Sequence, residues 1–315
     1  MSVLCIGEAL IDMICTDKGS SLSDGQNFLK KPGGAPTNVA AAIGALGGSV
    51  ALSAKVGLDP FGKQLKQVMA DFHVDTTHLH LDANHFTTFA FVSLMLDGER
   101  DFVFNRGADA ELTVEEVSQI DLSETHIIHF GSATAFLDGP LNAAYYHLLA
   151  SAKSAGKTIS FDPNYRHLLF GDKQASFIEQ SWTFLQAAHF TKLSDEEAML
   201  ITGKDSLEEA ADNLLKNIPG VFTITLGKDG TLLGHDGKTT IIPSIQIKPT
   251  DTTGAGDALV GAVLYQLDEA NLNPATLAVE AWNKIIQNAN KAGARTCEYM
   301  GAMEAFKHLN NSIFN

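Results

Sequence analysis

Cysteine is scarce in this 315-residue chain: Cys5, Cys15 and Cys297 are widely spaced, and no two form a CxxC pair. That spacing excludes a disulfide framework and a cysteine zinc site, and it leads us to expect a reduced, cytoplasmic setting. Basic residues are also few. With 22 Lys and Arg against 37 Asp and Glu, the formal net charge is -15. So acidic a surface repels nucleic acid and anionic membranes, and neither is expected as a partner. No uncharged apolar run reaches the roughly 18 residues of a membrane-spanning helix. The N-terminal MSVLCIGEALIDMI is apolar, but it carries Glu8 and Asp12 and has no basic flank. It reads as a first buried strand rather than a signal peptide. Three fingerprints are absent: GxxxxGK followed by Ser or Thr, GxGxxG behind a strand, and HExxH. Their absence removes the P-loop, the dinucleotide fold signature and a zinc-protease pair. His126 and His129 lack metal-ligand spacing and read as strand residues. There is no repeat, no low-complexity tract and no Pro/Gly/Ser linker, so one continuous domain over residues 1–315 is expected.

Hydrophobic residues make up 45% of the chain and charged residues 19%, enough for a sizeable core. Short apolar runs at 3–6, 50–56, 126–130, 158–161, 189–193 and 221–226 suit buried strands. Helical patterns fall mostly between them, at 37–46, 60–72, 141–154, 176–187, 196–201 and 207–216. Asp59 is placed to cap the helix that Pro60 begins. This alternation predicts a mostly parallel sheet covered on both faces. One segment departs from it. Residues 87–96 and 100–104 look like strands and flank Asp97-Gly98-Glu99, a hairpin signal. Residues 16–31 also fail to look helical. Together they predict a small accessory sheet, either a lid over a site or a decorated edge. Phe86, Phe89, Phe91, Phe102 and Phe104 in this region read as core or as a dimer contact.

Two glycine clusters open helices: Gly33-Gly34-Ala35-Pro36-Thr37-Asn38 and Gly254-Ala255-Gly256-Asp257. Each is compatible with an ordinary helix start. Each also lets the backbone approach a ligand closely, where unpaired N–H groups and the positive dipole end favour an anion. A carboxylate in such a turn repels phosphate unless it has a task. Taking the proton from a hydroxyl that attacks the phosphate is such a task for Asp257.

These clusters, in order along nearly the whole chain, resemble the PfkB-type, ribokinase-like carbohydrate kinases. The resemblance includes Leu46-Gly47-Gly48, Val56-Gly57-Leu58-Asp59-Pro60-Phe61-Gly62, Thr225-Leu226-Gly227-Lys228-Asp229-Gly230 and Asp251-Thr252-Thr253 before the second glycine cluster. It implies a three-layer α/β/α sandwich with a small β-strand lid, drawn from residues of roughly 12–33 and 85–106. It also implies ATP-dependent phosphorylation of a sugar hydroxyl with Mg²⁺. Asp257 then corresponds to the base, and Gly254, Ala255 and Gly256 to the anion hole. Asp12 resembles the family's sugar-hydroxyl acceptor at the end of the first strand, although an exposed loop acid is the plainer reading of such a residue. Gly33, Gly34 and Asn38 would line the sugar pocket. For the nucleotide, Lys192 would meet phosphates and Glu197 a Mg²⁺-bound water, with Ser194 standing where the family usually has Asn. Ser194 and Glu197 also make a good capping box. Thr225, Gly227 and Gly230 resemble the adenosine-side loop, and Asn290 an adenine neighbour. Asp251 and Thr253 resemble part of a monovalent-cation site for K⁺, but Glu298-Tyr299-Met300 stands where basic residues are common.

Within the family the resemblance leans to bacterial and plant fructokinases, through GGAPTN, Asp97-Gly98-Glu99-Arg100-Asp101-Phe102, Phe104-Asn105-Arg106-Gly107-Ala108-Asp109 and Phe161-Asp162-Pro163-Asn164-Tyr165-Arg166. Asn164, Arg166 and Arg106 become candidates for holding substrate oxygens or phosphate; surface ion pairs are the alternative for the arginines. Two other functions stay open, a 2-keto-3-deoxygluconate kinase and a catalytically inactive sugar or nucleotide sensor. A homodimer through the lid is compatible with all three.

Overall fold

The computed structural model describes residues 1–94 and 100–314. Its N-terminal stretch differs from the expectation of one strand. β1 (Val3–Ile6) ends at Gly7, and β2 (Leu10–Cys15) continues in a different sheet. Gly7 has φ +144°, and a Cβ there would lie 2.5 Å from the Ser132 Cβ, so only glycine makes this break. Asp12 therefore sits within β2, in the second sheet, and not at the end of the first strand.

The remaining strands, in chain order, are β3 (Phe28–Gly33), β4 (Val50–Gly57), β5 (Leu79–Asp82), β6 (Thr88–Leu94), β7 (Arg100–Asn105), β8 (Ile127–Phe130), β9 (Thr158–Phe161), β10 (Phe190–Ser194), β11 (Val221–Thr225), β12 (Thr231–His235) and β13 (Lys238–Ile242). The main sheet has the order β13-β12-β11-β10-β9-β8-β1-β4-β5. It is parallel from β5 to β11 and antiparallel at β12 and β13. Helices cover both faces, giving three layers. Ala35–Ala45, Ala255–Glu269, Val279–Thr296 and Ala302–Phe306 bury Val39, Leu259, Trp282 and Phe306 on one side. Pro140–Ser154, Gln174–Leu185, Asp195–Thr202 and Leu207–Asn217 bury Tyr145, Phe184 and Leu214 on the other. Small residues let two of these helices meet closely: a Cβ on Gly261 would stand 2.8 Å from that of Ala42. Among the described residues, no helix is long and apolar enough to cross a membrane.

The accessory sheet runs β3-β2-β6-β7. β6 and β7 pair antiparallel, as the hairpin signal predicts, although Asp97-Gly98-Glu99 lies outside the described residues. Residues 16–31 supply β3, which pairs with β2. Asp59 caps its helix through the Phe61 and Gly62 N–H groups, both at 2.9 Å, and also accepts from the Thr87 N–H at 2.7 Å. One carboxylate thus fixes a helix start to the base of β6. Phe89 packs edge-on against Phe61 at 4.9 Å and stacks with Phe91, while Phe86, 77% exposed, is not core.

Candidate active site

The chain crosses from β1 to β4 on one side and later to β8 on the other, so the strand order reverses beside β1. In a doubly wound sheet the crevice at the carboxyl ends of such strands is where ligands bind. Polar and glycine residues at the carboxyl ends of these strands line this edge, among them Ser194 and Thr225 of the predicted site. Gly7 and Glu8 follow β1, Asp162 follows β9, Ser194 ends β10 and Thr225 ends β11.

Two glycine-led helices meet here. Gly254 has φ +80°, and a Cβ on it would lie 2.4 Å from the Ala302 Cβ. The next helix begins at Ala255, so the first-turn N–H groups have no intrahelical acceptor. The Ala255 N–H already donates to the Thr252 carbonyl at 3.2 Å and reaches a ligand only by sharing that bond. Asp257 lies in the same turn, half-buried. Asn38, from the helix behind Gly34, donates Nδ2–H to Asp257 Oδ2 at 2.8 Å, across 219 residues of sequence. Lys192 approaches the same turn: a Cβ on Gly256 would be 3.3 Å from its Nζ. Burial pushes the Asp257 carboxyl up; Asn38, Lys192 and Arg166 oppose that, and Glu197 adds to it. Burial by itself lowers Lys192, but Asp162, Glu197 and Asp257 reverse the effect and raise it.

At the accessory sheet, Gly33 pairs with Leu10 beside Asp12, and a Cβ on Gly33 would be 2.1 Å from Asp12 Oδ2. Gly34 has φ +105°, and a Cβ on it would be 2.4 Å from the Glu8 carbonyl. Burial pushes the Asp12 carboxyl up to about 6, against the charge of Arg166. Arg166 is exposed and donates to the Tyr165 carbonyl at 3.1 Å. Its field reaches both Asp12 and Asp257. Asn164 is buried with φ +52° and donates to the Gly131 carbonyl at 3.2 Å. Arg106 is more committed. Its guanidinium meets Asp109 at 3.4 Å and the carbonyls of Asp138 at 2.6 Å and Thr134 at 3.2 Å.

The capping box forms as the spacing predicts. Ser194 Oγ accepts from the Glu197 N–H at 3.1 Å, and Glu197 Oε2 accepts from the Ser194 N–H at 2.7 Å. Glu197 Oε1 accepts from the Tyr165 N–H at 2.8 Å, tying the Asp162–Arg166 turn to β10. Thr225 donates to the Leu193 carbonyl at 3.3 Å. Gly227 and Gly230, with φ +57° and +108°, shape the turn after β11. Asn290 is buried against the sheet edge: its Oδ1 accepts from Thr231 at 2.6 Å and its Nδ2–H donates to the Ile242 carbonyl at 2.9 Å. Asp251 Oδ1 accepts from Thr253 N–H and Oγ1–H at 3.0 and 2.7 Å, and Oδ2 accepts from the Gly301 N–H at 2.8 Å. No group of three metal-ligating side chains occurs among the described residues.

Sequence reasoning passed over Glu8 and Asp162. Glu8 is buried and accepts from Ser132 at 2.5 Å and from the Ala35 N–H at 3.1 Å. A hydroxyl chain continues from Ser132 to Thr134 at 3.4 Å and from Thr134 to Asp109 at 2.9 Å. Asp109 also accepts from Thr88, at the base of β6. Burial pushes the Glu8 carboxyl up to about 7. A raised carboxyl means that the native state holds more protons than the unfolded chain between the ordinary carboxylate range and that value. Stability then falls as pH rises through this window. Asp12, Asp162 and Asp257 act in the same direction. We expect the melting temperature of the free protein to fall between about pH 4.5 and pH 7, and Glu8→Gln to flatten that fall. Equal slopes for the two proteins in a thermal melt series would leave Glu8 without this part.

Comparison with known proteins bears on the family and the fold. The model of the pfkB family carbohydrate kinases matches residues 1–309. Fructokinase-1 of Zea mays is 36% identical over 306 residues, covering 96% of this chain and 93% of the maize protein. The crystal structure of fructokinase from Vibrio cholerae, in its fructose, ADP and calcium ion bound form, superposes with a TM-score of 0.82 at 33% identity, covering 100% of this chain and 98% of that one. Aminoimidazole riboside kinase from Salmonella enterica, complexed with aminoimidazole riboside and an ATP analog, gives a TM-score of 0.82 at 27% identity, covering 100% and 98%.

Proposed function

The chain belongs to the pfkB family of carbohydrate kinases, and from that premise we propose that it transfers the γ-phosphoryl group of ATP to fructose, yielding fructose 6-phosphate and ADP. The observation that carries this reading is the Asp257 carboxylate, oriented by Asn38 in the glycine-led turn that Lys192 faces. Asp257 takes the proton of the attacking hydroxyl as its oxygen bonds to phosphorus and ADP leaves. The N–H groups of the turn at Gly254, Ala255 and Gly256 stabilise the phosphoryl in transit. Asp12 accepts hydroxyl protons of the sugar, Gly33 and Gly34 leave room for its ring, and Arg166 and Asn164 close its far side. Arg106 holds the base of the β6–β7 hairpin, and residues of roughly 12–33 and 85–106 form the lid. The adenosine lies by Thr225, Gly227 and Gly230, with Asn290 supporting that edge from beneath.

Mg²⁺, when bound with the nucleotide, draws charge from its phosphates. Glu197 suits a water-mediated contact, since each carboxylate oxygen has one N–H donor and a lone pair to spare. The fit of K⁺ at Asp251 and Thr253 is partial, because both Asp251 oxygens already accept hydrogen bonds, Oδ1 from Thr253 and Oδ2 from Gly301. The exposed Ile14, Leu29, Leu94 and Val103 of the accessory sheet support a homodimer contact there.

A panel of sugars with Mg-ATP, read by ADP release, tests the substrate. Asp12 repels a substrate carboxylate, and a pocket built to hydrogen-bond hydroxyls rejects analogues that leave its groups unpaired. We expect kcat/KM for fructose to exceed that for ribose or 2-keto-3-deoxygluconate by at least about tenfold. A panel led by the keto-deoxy acid would move the assignment to that kinase, with Arg166 facing the carboxylate. Nucleotide binding without turnover on any sugar would indicate a sensor.

A further inference from the structure

We infer that Asp162 is a positioning residue that fixes the Lys192 ammonium over the anion hole, so that the cation meets the phosphoryl group in transit; this rests on the phosphotransfer reading above. Asp162 is buried just after β9, and Lys192 is buried in the middle of the neighbouring β10. Lys192 Nζ lies 3.2 Å from Asp162 Oδ2 as an ion pair and donates to Oδ1 at 3.5 Å. That Oδ1 also accepts from the Asn164 N–H at 3.2 Å, and Asn164 holds the left-handed turn that Pro163 precedes. The carboxylate is thus anchored to the main chain through Oδ1 and faces the ammonium with both oxygens.

The direction in which the ammonium is held matters. A Cβ on Gly256 would lie 3.3 Å from Nζ and 3.4 Å from Cε, so the bare glycine leaves the cation facing the first turn of the helix that carries Asp257. The charged groups around Lys192 are Asp162, Glu197 and Asp257, with Arg166 nearby on the open side. His129, beneath it, is pushed down to about 3 by burial and by Lys192, and stays neutral. Glu197 already accepts two main-chain N–H groups, and Asp257 accepts from Asn38. Among the described residues, Asp162 alone stands at ion-pair distance from the lysine. A buried ion pair adds little net stability compared with apolar residues of the same shape. The pair is better explained by where it points the ammonium than by what it adds to folding.

The test is a double-mutant cycle with Asp162→Asn, Lys192→Met and the double variant. It uses kcat and KM for ATP from ADP release, and ATP affinity from isothermal titration without sugar. We expect Asp162→Asn to lower kcat on the order of tenfold and to weaken ATP binding in the Lys192 protein. In the Lys192→Met protein the same change should alter either quantity by no more than about twofold, since nothing remains to position. Equal losses in both backgrounds overturn the inference by showing that Asp162 acts independently of Lys192. Wild-type turnover and ATP affinity in Lys192→Met also overturn it, while sugar-dependent ADP release by the unaltered protein still upholds the phosphotransfer reading. Asp162→Ser, checked with Asp162→Asn for a native thermal melt, supplies the same cycle if the asparagine variant does not fold.

Discussion

Asp257→Ala is expected to lower kcat by about 10²–10⁴, the range for loss of a general base, with KM for sugar and ATP much less affected. Several features of the site make the effect large. The carboxylate is held by the Asn38 amide at 2.8 Å, so its direction is set before substrate arrives. It shares its helical turn with the groups proposed to hold the phosphoryl, so a hydroxyl near Asp257 is also near phosphorus. Burial pushes its carboxyl up, which makes it a stronger base than an exposed aspartate, while Asn38, Lys192 and Arg166 oppose that shift. Alanine removes the proton acceptor and leaves Asn38 Nδ2 without a partner, but the glycine turn and Lys192 remain. Binding should therefore survive what turnover does not. Steady-state kinetics with fructose and ATP, supported by titration of each ligand, separates the two. Near-wild-type kcat removes Asp257 from the role of base, and a matching loss of ATP affinity makes it a binding residue.

How much of this was legible beforehand follows from the range of the interactions. Asp59-Pro60 specified a helix start because a cap and a fixed φ act within a few residues. Ser194 and Glu197 specified a capping box for the same reason. The β6–β7 hairpin was legible from Asp-Gly between strand-like runs, and the same signal at Asp236-Gly237, with φ +49° and +69°, marks the β12–β13 hairpin that the reading passed over. The split at Gly7 was hidden because the apolar run continues through it; what forces the break is contact with Ser132, far away in sequence. The family resemblance makes Asn290 an adenine neighbour; that its amide also bonds Thr231 and Ile242 is revealed only by the sheet edge. Glu8 and Asp162 lay inside quoted motifs without a role. A buried carboxylate is recognisable as such only when its partners are known, and those of Glu8 are as distant as Ser132. The convergence of Asn38 and Asp257 is likewise tertiary, although each glycine cluster already suggested an anion site.

Gly256→Val is expected to cut kcat by about 10² while leaving the fold intact. Gly256 lies in the first turn of a helix with an ordinary helical backbone, not among the positive-φ glycines. Valine is no worse than glycine as a helix former, so the melting temperature should hold or rise slightly. The Cβ itself would stand 3.3 Å from Lys192 Nζ, a tight contact to which the flexible end of the lysine must yield by a few tenths of an ångström. The two γ-methyl groups add bulk beyond that Cβ, beside the lysine and the turn where the phosphoryl oxygens are proposed to sit. A displacement of about 1 Å at reacting groups is enough for a loss of this size. Gly254→Ala provides the contrast. There the backbone is left-handed at φ +80°, and the added Cβ meets Ala302 at 2.4 Å, so folding should fail before catalysis can be judged. Thermal melts and steady-state kinetics on both variants distinguish a glycine required for backbone shape from one required for ligand space. If Gly256→Val melts early and its folded fraction turns over at the wild-type rate, Gly256 is structural and the anion hole lies elsewhere along the turn.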